Sequence, residues 1–187
     1  MAISLEGKTV IVTGAGSGFG AGIAHRFIEE GATVMVVDIN EEAIARGMAA
    51  RFAARGWRLE VLDIAEGGKA NALNLGDAAC RAAARAYLDA DVVAGPGLMA
   101  KTLAALDREA AVWVTGRLEI APARSWVSRR YAALWARLPF MRPGAAPGAG
   151  FFAVNAAGRA RWGAFPAIIA DDTFVRWHFA PAERVEV

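Results

Sequence analysis

Thr9-Val10-Ile11-Val12-Thr13-Gly14-Ala15-Gly16-Ser17-Gly18-Phe19-Gly20 is the stretch whose reading decides the fold. Thr9 to Thr13 is β-branched and apolar without alternation, the pattern of a strand buried on both faces. Gly18 to Glu30 then reads as a helix, with Ile23, Phe27 and Ile28 on one face and Gly31 as its stop. A strand, a glycine turn and a helix in this order place backbone N–H groups and the positive end of the helix beneath a phosphate. Glycines are needed because a side chain would block that approach. Thr33 to Val37 is a second buried strand, and Asp38 stands at its carboxyl end. There a carboxylate can accept hydrogen bonds from ribose hydroxyls and would disfavour a 2′-phosphate.

Working outward, Glu41 to Arg55 reads as a second helix and Arg58 to Leu62 as a third strand. Such alternation implies a parallel sheet with helices on both faces. Ala70 to Ala86 is alanine-rich and helical, and Ala86 to Leu88 is a short strand that delivers Asp89 and Asp91 to its carboxyl end. Pro96-Gly97 turns into a helix ending near Leu106, and Ala111 to Ile120 supplies one or two strands. Ser125 to Leu138 sets Val127, Tyr131, Leu134, Trp135 and Leu138 on one helical face. Pro139 to Gly150 is a loop. Phe151 to Val154 is a strand, Ala156 to Trp162 a short helix and Asp171 to Phe179 a last helix.

The chain has 187 residues, 56% of them hydrophobic, and a formal net charge of +2. That length and apolar content fit one domain with a real core. The near balance of charge argues against general nucleic-acid affinity. A single cysteine, Cys80, excludes a disulfide framework and a cysteine-rich zinc site, and reads as a small buried hydrophobe. No apolar run reaches the roughly 18 residues of a membrane span. The expectation is a cytoplasmic protein, with a membrane-peripheral placement as the variant suggested by arginines 117, 124, 129, 130, 137 and 142 around a helix bearing Trp126 and Trp135. A solvated basic face is the plainer reading of that cluster.

The opening resembles the NAD-binding start of a short-chain dehydrogenase: Thr13-Gly14 with Gly18 and Gly20, Leu5-Glu6-Gly7-Lys8 before them, and Asp63-Ile64 after the third strand. That resemblance implies NAD as cofactor, held by Gly14, Gly18, Gly20 and Asp38, with weak binding expected. The family's Tyr-x-x-x-Lys is absent: Tyr87 is followed four later by Asp91, and Tyr131 by Trp135. A hydride-transfer enzyme of that family needs the tyrosine as acid/base. Its Asn-Asn-Ala-Gly is echoed only by Asn155-Ala156-Ala157-Gly158.

The rest resembles a family-two glycosyltransferase. Gly67-Gly68-Lys69-Ala70-Asn71-Ala72-Leu73-Asn74 is similar to that family's nucleotide-contacting segment, Leu88-Asp89-Ala90-Asp91 to its metal motif, and Ala170-Asp171-Asp172 to its catalytic acidic pair. An Asp-x-Asp at a strand end can hold a hard cation, and a metal-bound diphosphate is the better leaving group. The resemblance implies Mn or Mg on Asp91 and Asp89, a nucleotide-sugar donor such as a UDP-sugar against Lys69, Asn71, Asn74 and Asp89, and Asp172 as base beside Asp171. The acceptor would be a hydroxyl compound, with a lipid as one option. The plainer reading of Asp171-Asp172 is a helix start, where acids are favoured.

These readings combine into one α/β domain over 1–187, a three-layer Rossmann-like sheet merging into a glycosyltransferase A-type layout. Residues 1–54 form its dehydrogenase-like segment and 55–187 its glycosyltransferase-like segment. The leading expectation is a metal-dependent, inverting glycosyltransferase. The alternatives are an NAD-dependent oxidoreductase and an inactive chimeric scaffold.

Overall fold

A computed structural model describes residues 9–13, 33–38, 59–89, 92–120, 125–142 and 144–187. Gly14, Gly18, Gly20, Asp91 and the helices expected over 18–30 and 41–55 lie outside the described residues.

Three strands come first: β1 (Thr9–Thr13), β2 (Thr33–Asp38) and β3 (Leu59–Asp63). Helix α1 (Lys69–Ala79) leads to β4 (Arg85–Leu88), and α2 (Leu98–Leu106) leads to β5 (Trp113–Thr115). Helix α3 (Trp126–Trp135) and a 3-10 turn (Pro139–Met141) precede β6 (Phe151–Val154). Helices α4 (Ala156–Arg159) and α5 (Asp171–Arg176), a 3-10 turn (Pro181–Glu183) and β7 (Arg184–Glu186) close the chain.

The sheet order is β3-β2-β1-β4-β6-β5-β7. The first four strands run parallel, as the β-branched runs and their intervening helical segments predict. Strand β6 is antiparallel to both β4 and β5, and β7 is parallel to β5. The sheet is therefore mixed, an α/β Rossmann-like architecture in its first four strands.

Alternation along the strands builds two buried faces. Ala86, Leu88, Val114, Phe151 and Ala153 join Met99, Ala105 and Leu106 of α2 on one face. Tyr87, Trp113, Phe152 and Val154 join Leu73 of α1, Trp162, Phe165, Val175 and Phe179 on the other. Val112, Trp113, Val114, Ala153 and Val154 have no solvent exposure, so β5 and β6 are among the most deeply buried strands of the described residues. Cys80 is buried, as expected of a small apolar residue.

Three expectations needed adjustment. The alanine-rich helix stops at Ala79 rather than Ala86, because residues 85–88 pair with β1 and β6. Ladder pairing there overrides alanine's helix propensity. Between residues 111 and 120 only Trp113–Thr115 forms a strand. Strand β7 carries no clear alternating signal and exists because β5 offers it an edge. The loop before β6 turns on glycines at positive φ, of which Gly148 (φ 76°) packs against the Trp113 indole so closely that a Cβ would collide with it.

Candidate functional site at the carboxyl edge of the sheet

The chain runs from β1 outward to β2 and β3, then returns to place β4 on the other side of β1. The sheet order reverses there, and in open α/β sheets ligands bind in that crevice, beyond the carboxyl ends of the strands. Register brings the relevant ends together. Thr13 pairs with Val37, Val12 with Leu88, and Asp38 with Asp63. Asp38 thus ends β2 beside the end of β3.

Three charged side chains meet at the same edge. Lys69, the first residue of α1, places its Nζ 2.8 Å from Asp89 Oδ1 and 2.7 Å from Asp171 Oδ1. Asp89 directly follows β4, and its N–H donates to the Gly150 carbonyl at 2.8 Å. Asp171 opens α5 and is almost wholly buried. A cation in the first turn of a helix opposes the helix dipole, and the two carboxylates offset that cost. Burial pulls the Lys69 pKa down, but hydrogen bonds and charge from Asp171 and Asp89 outweigh it and hold the ammonium above its usual value.

The other sequence-predicted residues point elsewhere. Asp172 Oδ1 accepts from the Thr173 N–H at 2.6 Å, within its own helix turn. Asn71 Nδ2 donates to the Glu66 carbonyl at 2.6 Å. Asn74 clamps Phe165 at both ends: its Nδ2 donates to the carbonyl at 3.0 Å, and its Oδ1 accepts from the N–H at 2.7 Å. Asn155 caps α4, accepting from Gly158 N–H at 2.9 Å and donating to the Arg108 and Ala110 carbonyls. Trp162 and His178 pack in one aromatic group with Phe165, Phe174 and Phe179, while Trp177 is exposed.

Two features escaped sequence reasoning. One is a buried polar network on Asp77, which accepts from Arg85 Nε at 3.1 Å, from the Tyr87 hydroxyl at 3.0 Å and from Arg159 Nε at 2.7 Å. Burial, reinforced by the Asp77 charge, pushes the Tyr87 phenol far above its ordinary range. Tyr87 is a structural donor here and no proton shuttle. The other is a cleft of about 520 Å³ at the carboxyl ends of β4 and β5, lined by Val92, Leu98, Lys101, Arg117 and Phe151 among others. Its lining comes from four separate segments, so no local motif announces it.

The family model of the short chain dehydrogenases matches residues 8–72. A 2,5-dichloro-2,5-cyclohexadiene-1,4-diol dehydrogenase of Sphingobium indicum is 47% identical over 70 residues, covering 35% of this chain and 28% of the relative. The 3beta-hydroxysteroid dehydrogenase 2 of Eggerthella lenta is 40% identical over 60 residues, covering 32% of this chain and 23% of the relative. A short chain dehydrogenase of Burkholderia cenocepacia, solved in complex with NADP, is 31% identical with a TM-score of 0.34, covering 38% of this chain and 29% of that one. The chain therefore spans about a quarter of the length of these relatives.

These findings correct the leading expectation. The family match runs through Lys69-Ala70-Asn71-Ala72, inside the segment from 55 onward that was read as glycosyltransferase-like, and the relatives are dehydrogenases. Sugar transfer with Asp172 as base, and a UDP-sugar donor held by Lys69, Asn71, Asn74 and Asp89, fall with it. The divalent metal falls too. Among the described residues no three His, Cys, Asp or Glu side chains gather as a ligand set, and the Lys69 ammonium already pairs with both Asp89 and Asp171. No described helix is long and apolar enough to cross a membrane.

Proposed function

We propose that this chain is a nicotinamide-dinucleotide-binding protein of the short-chain dehydrogenase type, with oxidoreductase chemistry as its activity class. The observation that carries this is the family match over residues 8–72, read with the strand register that lines up Thr13, Asp38 and Asp63 at one edge. In this reading the turn from Gly14 to Gly20 cradles the diphosphate, and Asp38 takes the adenosine ribose. Bound there, the nicotinamide would supply or accept the hydride.

The fit is strongest for the adenosine half. A doubly wound dinucleotide fold continues with parallel strands beyond the switch point. Here β6, antiparallel, takes that place. Neither tyrosine offers the acid/base of the resembled family: Tyr87 is buried on Asp77, and Tyr131 lies exposed on α3. An alcohol or carbonyl substrate fits the cleft beside β4 and β5, where Lys101 and Arg117 supply hydrogen-bond donors.

Ligand-observed NMR titration with NAD tests the reading. Half a site implies affinity near about 1 mM, where binding supplies only about 4 kcal/mol. Saturable transfer to the adenine and ribose protons is expected, and Gly18→Val or Asp38→Ala should abolish it. No transfer, or transfer unchanged in both variants, would overturn the proposal.

A further inference from the structure

Helix α3 is built the wrong way out for a helix that packs on a core. Its Ser125 cap is well made, with the side chain accepting from the Ser128 N–H at 3.0 Å. Yet no residue of the helix is buried. Trp126, Val127, Tyr131 and Leu134 are each 59–68% exposed. Between residues 125 and 137 only Ala132 and Trp135 are even half-buried. Ala132 and Ala136 line a cleft shared with Arg117, Ile120 and Glu186, and Trp135 is half-buried, so the helix meets the body along this side while Trp126, Val127, Tyr131 and Leu134 face outward.

Charge chooses among the surfaces that could cover this face. Residues 125–142 contain Arg129, Arg130, Arg137 and Arg142 and no Asp or Glu. Glu186 lines the cleft shared with Ala132 and Ala136, on the side of the helix opposite the exposed patch. A two-fold contact with a second copy would lay this patch on itself and bring arginine against arginine. An anionic bilayer meets both demands. Trp and Tyr suit the headgroup level, Val and Leu reach the acyl boundary, and the arginines pair with lipid phosphates.

We infer that α3 is an interfacial docking helix that seats the protein on anionic lipid surfaces. The inference stands apart from dinucleotide binding and would survive its failure. The test is co-sedimentation of the full chain with vesicles of phosphatidylcholine alone, or of phosphatidylcholine mixed with phosphatidylglycerol. Binding is expected to the mixed vesicles, weak or absent on the neutral ones, and reduced by high salt. Each arginine near the surface is worth about fivefold, so R129S/R130S/R137S should weaken partition by at least tenfold or so. W126S/L134S should weaken it as well, with an unchanged circular dichroism spectrum because both side chains are exposed. Equal partition to the two vesicle types, no partition, or partition unaffected by either variant would overturn the inference. So would a concentration-dependent dimer that W126S/L134S dissolves, which would give the face to a second copy.

Discussion

Lys69 Nζ lies 2.7 Å from Asp171 Oδ1, tying the first turn of α1 to the first turn of α5 across the carboxyl edge of the sheet. Asp171 is nearly inaccessible to water, and this ammonium is the cation that compensates it. Lys69→Met therefore leaves a buried carboxylate unpaired. Breaking a fully buried pair costs about 3–5 kcal/mol. The lysine side chain is 39% exposed, so screening reduces the expected loss to about 1–2 kcal/mol. Urea unfolding should show that loss, and Lys69→Met/Asp171→Leu should recover part of it. A Lys69→Met protein as stable as wild type would show that the pair contributes nothing.

Alkali should find two weak points together. Lys69 and Tyr87 both titrate higher in the folded protein than their ordinary values of 10.5 and 10.0. A raised folded pKa means the contribution is complete below the ordinary value and is lost as pH rises through the folded one. Stability is expected to hold through neutral pH and fall above about pH 10. Tyr87→Phe should flatten the decline and cost about 1 kcal/mol at neutral pH, through the lost hydrogen bond to Asp77. Denaturant midpoints measured from pH 8 to 11 decide it.

On the acid side, Glu183 behaves in the opposite sense. Its carboxylate receives Arg161 Nη1 at 2.7 Å and the Ala180 N–H at 2.8 Å, and these hold its pKa down at about 2. A depressed folded pKa gives a contribution present above the ordinary 4.5 and lost as pH falls towards 2. Glu183→Gln should reduce the pH dependence of stability in that window. An identical acid limb in the variant would remove Glu183 from the account.

Gly148 sits at φ 76°, with the Trp113 indole where a Cβ would go. Trp113 has no solvent exposure and cannot give way outward. Gly148→Ala combines left-handed backbone strain with overpacking, and a loss of about 2–4 kcal/mol is expected from thermal or urea unfolding. Gly163→Ala, at an ordinary φ with open space around it, is the control and should be near neutral.

At the carboxyl end of β2, Asp38 is expected to set cofactor preference. Its charge repels a 2′-phosphate, so NAD should bind ahead of NADP. Asp38→Arg should reverse the order, read by the same NMR titration. An unchanged preference would separate Asp38 from the ribose.

Local chemistry made much of the frame legible. The β-branched runs at 9–13 and 33–37 and the apolar Phe-Phe-Ala-Val at 151–154 each specify their strand through backbone sterics and side-chain burial. The dehydrogenase resemblance was legible because its motif is written in one continuous stretch, and the family match covers that stretch. The glycosyltransferase resemblance rested on short acidic and Lys-Asn motifs. Such motifs do not state their partners, and here Lys69 pairs with Asp89 and Asp171 while Asn74 clamps Phe165.

What the sequence alone determined is therefore the presence and bounds of the first strands, at 9–13 and 33–38, and the apolar strand at 151–154. Tertiary structure alone decided that β6 enters antiparallel between β4 and β5, and that β7 pairs at the edge. It also decided that Asp77 gathers Arg85, Tyr87 and Arg159, and that α3 turns Trp126, Val127, Tyr131 and Leu134 outward. The physical reason is common to all four. Each depends on which distant segment supplies the other half of a hydrogen bond, an ion pair or a buried face, and a one-dimensional pattern carries periodicity without naming the partner.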